Sequence, residues 1–244
     1  MAIVMVKKTA RVIGARLMRP DTRVLTLAVD EPLGFIGGQF VSVDTGEVGA
    51  NGKPIRRAYS IFSSDAEQNR FELAVKRIDG GVTSRYMHEL PVGAEVRFTG
   101  PWGELHPPAG ASGPVLILAT DTGITAALGL VRSARMVPLL ERTSFMWLRT
   151  ATDYFLPAPM VLALVPAACG EVRFTALPPI GHPERIAHVR GVLRARLARG
   201  PLAHGFISGD GAVNYALLDD LVAAGVPATR DSVESFFNMP RKAA

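Results

Sequence analysis

The run Lys53-Pro-Ile-Arg-Arg-Ala-Tyr-Ser-Ile-Phe-Ser-Ser64 is the stretch on which the reading of the whole chain turns. Within it, Arg57-Ala58-Tyr59-Ser60 sets a guanidinium, an aromatic ring and a hydroxyl along an expected β-strand. Side chains of a strand alternate, so Arg57 and Tyr59 are expected on one side and Ser60 on the other. An aromatic face carries a flat ring, an arginine fork binds a pyrophosphate, and a hydroxyl donates to a ring nitrogen. Those are the needs of a flavin dinucleotide. The same four residues also make an ordinary amphipathic strand, with Tyr59 in a core and Arg57 in water, and alone they favour that plainer reading.

Outward from this run, short alternating segments recur. They include Arg23-Val-Leu-Thr-Leu-Ala-Val29, Gly37-Gly-Gln-Phe-Val-Ser-Val43, Arg70-Phe-Glu-Leu-Ala-Val-Lys-Arg77 and Gly93-Ala-Glu-Val-Arg-Phe-Thr99. About six strands with turns every 8–12 residues predict a small antiparallel barrel or sandwich. Between two of them, Thr83-Ser-Arg-Tyr-Met-His-Glu-Leu90 reads as a short helix entered through Gly80-Gly81. Free N–H groups and the helix dipole make such an entry an anion site, with Thr83 and Ser84 opposite Arg57. A plain hairpin turn with a cap fits the same residues.

The pattern changes across the proline- and glycine-rich linker Pro107-Pro-Ala-Gly-Ala-Ser-Gly-Pro114. Val115-Leu-Ile-Leu-Ala119 is continuously apolar, as in a parallel strand covered on both faces. Further strands are expected at 145–148, 171–175 and 206–208, with helices at 124–135, 184–199 and 212–224. This alternation predicts a doubly wound parallel sheet. Prolines at 157, 159 and 166 obscure 150–168. Ligands of such sheets lie beyond the carboxyl ends of the strands, which directs attention to Thr120-Asp-Thr-Gly-Ile-Thr125, Arg149 and Ser208-Gly-Asp210. Thr120 to Thr125 follows a strand and opens a helix, so its backbone is placed for a dinucleotide phosphate, but Asp121 would repel one. Arg149 suits a 2′-phosphate better than bare ribose hydroxyls, and no acidic residue follows it until Asp153. A solvated surface arginine explains it nearly as well.

Composition narrows the function. The 244 residues are 48% hydrophobic and 20% charged, enough for packed cores and too apolar for wholesale disorder. A net charge of +5 favours an acidic partner, but no basic run or interleaved aromatics support nucleic-acid binding. The single cysteine, Cys169, excludes an internal disulfide and a Cys₄ iron–sulfur cluster held by this chain alone. The five histidines show no metal-ligand spacing, and neither H-E-x-x-H nor G-x-S-x-G occurs. No stretch reaches the ~18 apolar residues of a membrane helix, and Met1-Ala-Ile-Val-Met-Val6 is too short for a signal peptide. A cytoplasmic monomer without membrane or nucleic-acid partners is expected.

In order along the chain, Arg57-Ala-Tyr-Ser60, Gly80 to His88, Gly100-Pro-Trp-Gly103, Ala119 to Thr125 and Ser208-Gly-Asp210 resemble the successive motifs of the ferredoxin–NADP reductase superfamily. Those motifs are R-x-Y-S, the second flavin segment, G-P-x-G, the nicotinamide-dinucleotide loop and a degraded C-G-x-P. The resemblance implies an antiparallel FAD-binding barrel, residues 1–108, followed by an α/β NAD(P)-binding domain, residues 109–244. It implies that Tyr59 stacks on the flavin and that Ser60 bonds near its N5. It implies that Arg57, Thr83 and Ser84 hold the cofactor's pyrophosphate and that Ala58, Lys76, Gly81 and Val82 also contact the cofactor. For NAD(P)H it implies Thr120, Gly123, Ile124, Thr125, Arg149, Ser208, Gly209 and Asp210, with a lean to NADP.

By the same resemblance Glu234, in Ser232-Val-Glu-Ser-Phe-Phe-Asn238, lies near the flavin, where it relays protons or anchors the complex. Phe236 or Phe237 would cover the flavin, although residue frequencies favour strand core for both. The tail 238–244 is expected to be a surface extension. The implied activity is hydride transfer from NAD(P)H to FAD and single-electron delivery to a separate acidic ferredoxin or flavodoxin. A flavin reductase using diffusible flavin and a non-catalytic electron-transfer subunit are the alternatives.

Overall fold

A computed structural model describes residues 6–50, 52–151 and 154–238. Its first half is an antiparallel sheet of six strands: β1 (Lys8–Arg19), β2 (Thr22–Ala28), β3 (Phe40–Val48), β4 (Pro54–Ser60), β5 (Arg70–Lys76) and β6 (Glu95–Trp102). Their order is β4-β3-β6-β1-β2-β5. The two edges meet where Ile61 bridges Leu73 and Phe62 N donates to Glu72 O at 3.1 Å, so the sheet closes into a barrel. The alternation seen in the sequence points one face of each strand inward. Val12, Leu25, Val41, Val43, Phe71, Leu73 and Phe98 fill the interior. Helix α1 (Val82–Glu89) lies between β5 and β6, where the glycine entry predicts it.

The second half is a five-stranded parallel sheet of order β11-β10-β7-β8-β9. Its strands are β7 (Val115–Thr120), β8 (Thr143–Arg149), β9 (Glu171–Ala176), β10 (His204–Asp210) and β11 (Val233–Phe237). Helices α2 (Ile124–Val131), α3 (Ala158–Leu164), α4 (Arg185–Leu197) and α5 (Gly211–Ala223) cover it. All six residues of β7 are buried, because one core packs on each face of the sheet. The expected helix 124–135 is shorter: α2 ends at Val131, and a 3₁₀ stretch, Ala134–Arg142, carries Pro138 onward to β8. Helix α3 lies in the proline-obscured region. Pro157 caps it and Pro159 is in its first turn, where a missing N–H costs nothing.

The two halves share one interface. Every residue of α2 is buried, and the helix approaches the barrel so closely that a Cβ on Gly129 would lie 2.2 Å from the Ile61 carbonyl oxygen. Asp65 locks this contact by accepting from Gly37 N at 3.0 Å, Ser133 Oγ at 2.8 Å and Ala134 N at 2.9 Å. The order β10-β7-β8 makes the chain turn opposite ways from β7, so the sheet's topological switch point lies between β7 and β10.

Candidate functional site: a flavin cleft and a nucleotide crevice

A cavity of about 1030 Å³ opens between the halves. Strand β4 forms its floor, α1 and Lys76 one wall, and Tyr154, Phe155, Glu234, Phe236 and Phe237 the other. Arg57, Ala58, Tyr59, Ser60, Lys76, Gly81, Val82, Thr83 and Ser84 all line it. Strand alternation seats the Tyr59 ring partly on the barrel core, and burial raises its phenol above the ordinary range. Ser60 is buried from the opposite side, while Arg57 is exposed and donates to the Arg56 carbonyl at 2.8 Å.

The cavity's polar atoms bear on whether a flavin dinucleotide fits. Ser60 Oγ and Thr83 Oγ1 are buried without a hydrogen-bond partner. Such atoms cost about 1–3 kcal/mol each unless a ligand satisfies them. Both residues line the cavity, where acceptors of a bound dinucleotide would satisfy them, so they fit FAD. Ser84 behaves differently from its neighbour. Its hydroxyl accepts from Ile78 N and donates to Gly81 O, both at 3.1 Å, and so braces the turn that enters α1. Lys76 pairs with Asp21 and lies 4.6 Å above the Tyr154 ring.

Glu234 reaches the cavity from β11. Burial alone pushes its carboxyl up to about 7. Gly103, at φ +98°, lies beside it, and a Cβ there would stand 3.4 Å from Glu234 Oε2 and 3.2 Å from the Phe40 ring. Phe236 and Phe237 both line the cavity and belong to no buried core, contrary to the strand-core expectation. The reason is position, for β11 is an edge strand with one side open to the cleft. Of the tail, only Asn238 is described; 239–244 and Asp153 lie outside the described residues.

At the head of the parallel sheet, Thr120, Gly123, Ile124, Thr125, Ser208, Gly209 and Asp210 converge, but their polar atoms face one another. Ser208 Oγ donates to Gly123 O at 2.9 Å, Thr120 Oγ1 accepts from Asp210 N at 2.9 Å, and Thr125 Oγ1 donates to Thr122 O at 3.1 Å. Gly123 permits this closeness, because a Cβ there would lie 2.2 Å from the Ser208 carbonyl oxygen. Arg149 ends β8 as expected, with its guanidinium 5.0 Å from the Trp147 ring centroid and 5.7 Å from that of Phe174.

Two arginines that the motifs did not flag shape these sites. Arg23 reaches from β2 to the carbonyls that end α1, donating to Met87 O at 3.3 Å, to His88 O and to Leu90 O at 2.7 Å. It thereby anchors the helix whose other end faces the cavity. Arg185, the first residue of α4, is buried and paired with both Asp121 and Asp210. A cation in a first turn opposes the helix dipole, and that misplacement was the legible sign that Arg185 answers to something outside its helix.

Comparison with known proteins agrees with this geometry. Residues 9–106 match the oxidoreductase FAD-binding domain family. The chain is 35% identical over 127 residues to ferredoxin–NADP reductase B of Sorangium cellulosum, covering 51% of each chain. It is 34% identical over 131 residues to the reductase subunit of an aromatic O-demethylase of Amycolatopsis sp., covering 52% of this chain and 38% of that one. The chain thus spans about half or less of these relatives' lengths. The ferredoxin reductase of carbazole 1,9a-dioxygenase superposes with a TM-score of 0.74 at 23% identity, over 97% of this chain and 69% of that one, which shows a common fold. The first half of the chain is thus similar to the FAD-binding domains of these reductases, and the chain as a whole shares their two-domain fold, an antiparallel barrel joined to a parallel α/β domain.

Proposed function

We propose that this protein is an FAD-dependent reductase that takes hydride from NADPH and hands electrons singly to a separate, acidic, ferredoxin-type carrier in the cytoplasm. FAD supplies the conversion between two-electron and one-electron chemistry. The observation that carries the reading is the pair of partnerless buried hydroxyls, Ser60 and Thr83, in a cleft that also holds Glu234. Tyr59 offers the face on which the flavin ring stacks, and Ser60 orients the ring by a donated hydrogen bond. Arg57 and the amino end of α1 bind the pyrophosphate. Glu234, titrating at about 7, can hold or release a proton at its carboxyl at neutral pH. Phe236 and Phe237 exclude water from the open side.

The coenzyme choice is supported by Arg149 at the end of β8, where the ribose of a dinucleotide falls in such sheets. The acidic character of the carrier is supported by the net charge of +5, and a ferredoxin-type carrier by a relative named as a ferredoxin–NADP reductase. The test is an anaerobic visible spectrum of the purified protein before and after NADPH and, separately, NADH. A bound flavin bleached faster by NADPH supports the cleft assignment, the reductase half-reaction and the role of Arg149. A colourless protein that FAD does not reconstitute overturns the cleft assignment, and a flavin that neither coenzyme bleaches overturns the reductase.

A further inference from the structure

The crevice at the head of the parallel sheet contains an ion cluster that the flavin chemistry does not use. Arg185 Nε donates to Asp210 Oδ2 at 2.9 Å, and Nη2 pairs with Asp121 Oδ2. Its Nη1 donates to the Pro178 carbonyl at 2.6 Å and to Thr150 Oγ1 at 3.3 Å. Asp121 follows β7, Thr150 follows β8, Pro178 lies just past β9, and Asp210 ends β10. One guanidinium therefore spans the carboxyl ends of four neighbouring strands and bridges the switch point between β7 and β10. All three charged groups are nearly inaccessible: Asp121 is 0%, Asp210 2% and Arg185 3% exposed.

The backbone shows how unusual the arrangement is. Asp121 has φ +49°, in the left-handed region that glycine occupies freely and an aspartate adopts at a cost in backbone strain. Its carboxylate is held there by Thr150 N at 2.9 Å and Thr150 Oγ1 at 2.8 Å, besides Arg185. Asp210 is equally committed, capping α5 through Ala212 N at 3.1 Å and accepting from Asn238 at 3.2 Å. Among the described residues, this cluster thus holds two carboxylates and a single cation, a formal net negative charge, at the place where doubly wound sheets receive the phosphates of a dinucleotide.

We propose that Asp121 is a residue that limits the affinity of the crevice for nicotinamide dinucleotides. By sequestering Arg185 over the switch point with Asp210, it keeps the crevice closed to the pyrophosphate of NAD(P)H and holds the coenzyme's affinity low. A pyrophosphate approaching the β7–α2 loop meets the excess negative charge first. It can recruit Arg185 only by withdrawing that cation from two buried carboxylates, an exchange of ion pairs with no net gain. With Asp121 uncharged, only Asp210 competes for Arg185, and the guanidinium becomes available to the incoming phosphates. This inference rests on the reductase reading.

The test is equilibrium binding of NADP⁺ and of NAD⁺ to the FAD-loaded protein by titration calorimetry, with no turnover required. Asp121→Asn is the informative variant. Asparagine tolerates the left-handed backbone and still accepts from Thr150, so the fold keeps its contacts while the charge disappears. It is expected to bind both nucleotides at least tenfold more tightly than the parent, with flavin absorbance unchanged. Adding Arg185→Gln to Asp121→Asn is expected to abolish the gain, which a merely structural role for Asp121 would not produce. Asp121→Gly, free of the backbone cost, gives a second variant with the same expected gain.

If Asp121→Asn and Asp121→Gly bind no more tightly while NADPH or NADH still bleaches the parent flavin, the inference is overturned and the reductase reading stands. Persistence of the gain in the double variant also overturns it, because Arg185 is then not the group released. If neither nucleotide binds to, or bleaches, any of these proteins, both the inference and the reductase reading fall.

Discussion

In the flavin cleft, Ser60 Oγ and Thr83 Oγ1 are buried with no partner, and Glu234 carries a carboxyl that burial holds near 7. A short distance away, at the head of the parallel sheet, Arg185 uses four of its five N–H groups on Asp121, Asp210, Thr150 and Pro178. Even the hydroxyls of Ser208 and Thr125 are engaged there. The first cleft leaves polar atoms open and thus loses stability until a ligand completes it. The second has completed itself with its own side chains. Within one chain, the same rule that buried polar groups must be paired separates a site built to be filled from one built to resist filling.

The sharpest way to break this contrast is to unpair the closed crevice. Replacing Arg185 by Gln leaves two buried carboxylates without their cation, and removing one partner of a buried ion pair typically costs ~3–5 kcal/mol. Urea unfolding of the Arg185→Gln protein should show a loss of that order. The charge-free triple variant Asp121→Asn, Arg185→Met, Asp210→Asn should recover most of it, because the penalty belongs to the orphaned charges. Equal stability of Arg185→Gln and the parent would mean that the cluster is solvated and the crevice open.

A second measurement sharpens the other half of the contrast through pH. Glu234 titrates at about 7 in the fold, against 4.5 for an ordinary glutamate. Between those values the native protein holds a proton that the unfolded chain releases, so stability should fall as pH rises through this window and level off above 7. The full span corresponds to at most ~3 kcal/mol. In Glu234→Gln the slope attributable to this group should vanish. Parallel pH–stability curves for the two apo-proteins would show that the carboxyl is solvated and titrates normally.

How much of this was legible in the sequence follows from the range of the interactions involved. The barrel and the parallel sheet showed in local periodicity, since alternation in Arg70–Arg77 and the solid apolar run Val115–Ala119 each report how many faces a strand buries. The residues of β4 and α1 that line the cavity were legible as one group because they sit together in short segments. The charge cluster was not. Asp121, Arg185 and Asp210 are separated by 64 and 25 residues, and only the winding of four strands brings them together. Asp121 stood out as an unwelcome carboxylate, but nothing nearby in the sequence named the cation that neutralises it. Helix α3 was hidden for the opposite reason, because prolines that interrupt a helix elsewhere sit in its cap and first turn.

The smallest effect tests the open cleft itself. In Ser60→Ala a buried hydroxyl that has no partner in the apo-protein is removed, so the apo-protein should be no less stable than the parent, and marginally more stable if the cleft excludes water. The loaded protein loses one donated hydrogen bond, worth about 1 kcal/mol, so FAD should bind about fivefold more weakly. Thr83→Val, which keeps the branched shape, should behave in the same way. Opposite signs for apo stability and FAD affinity are the signature of a polar atom kept unpaired for a ligand. A hydroxyl that served the fold would lower both together, and that result would erase the distinction between the two clefts.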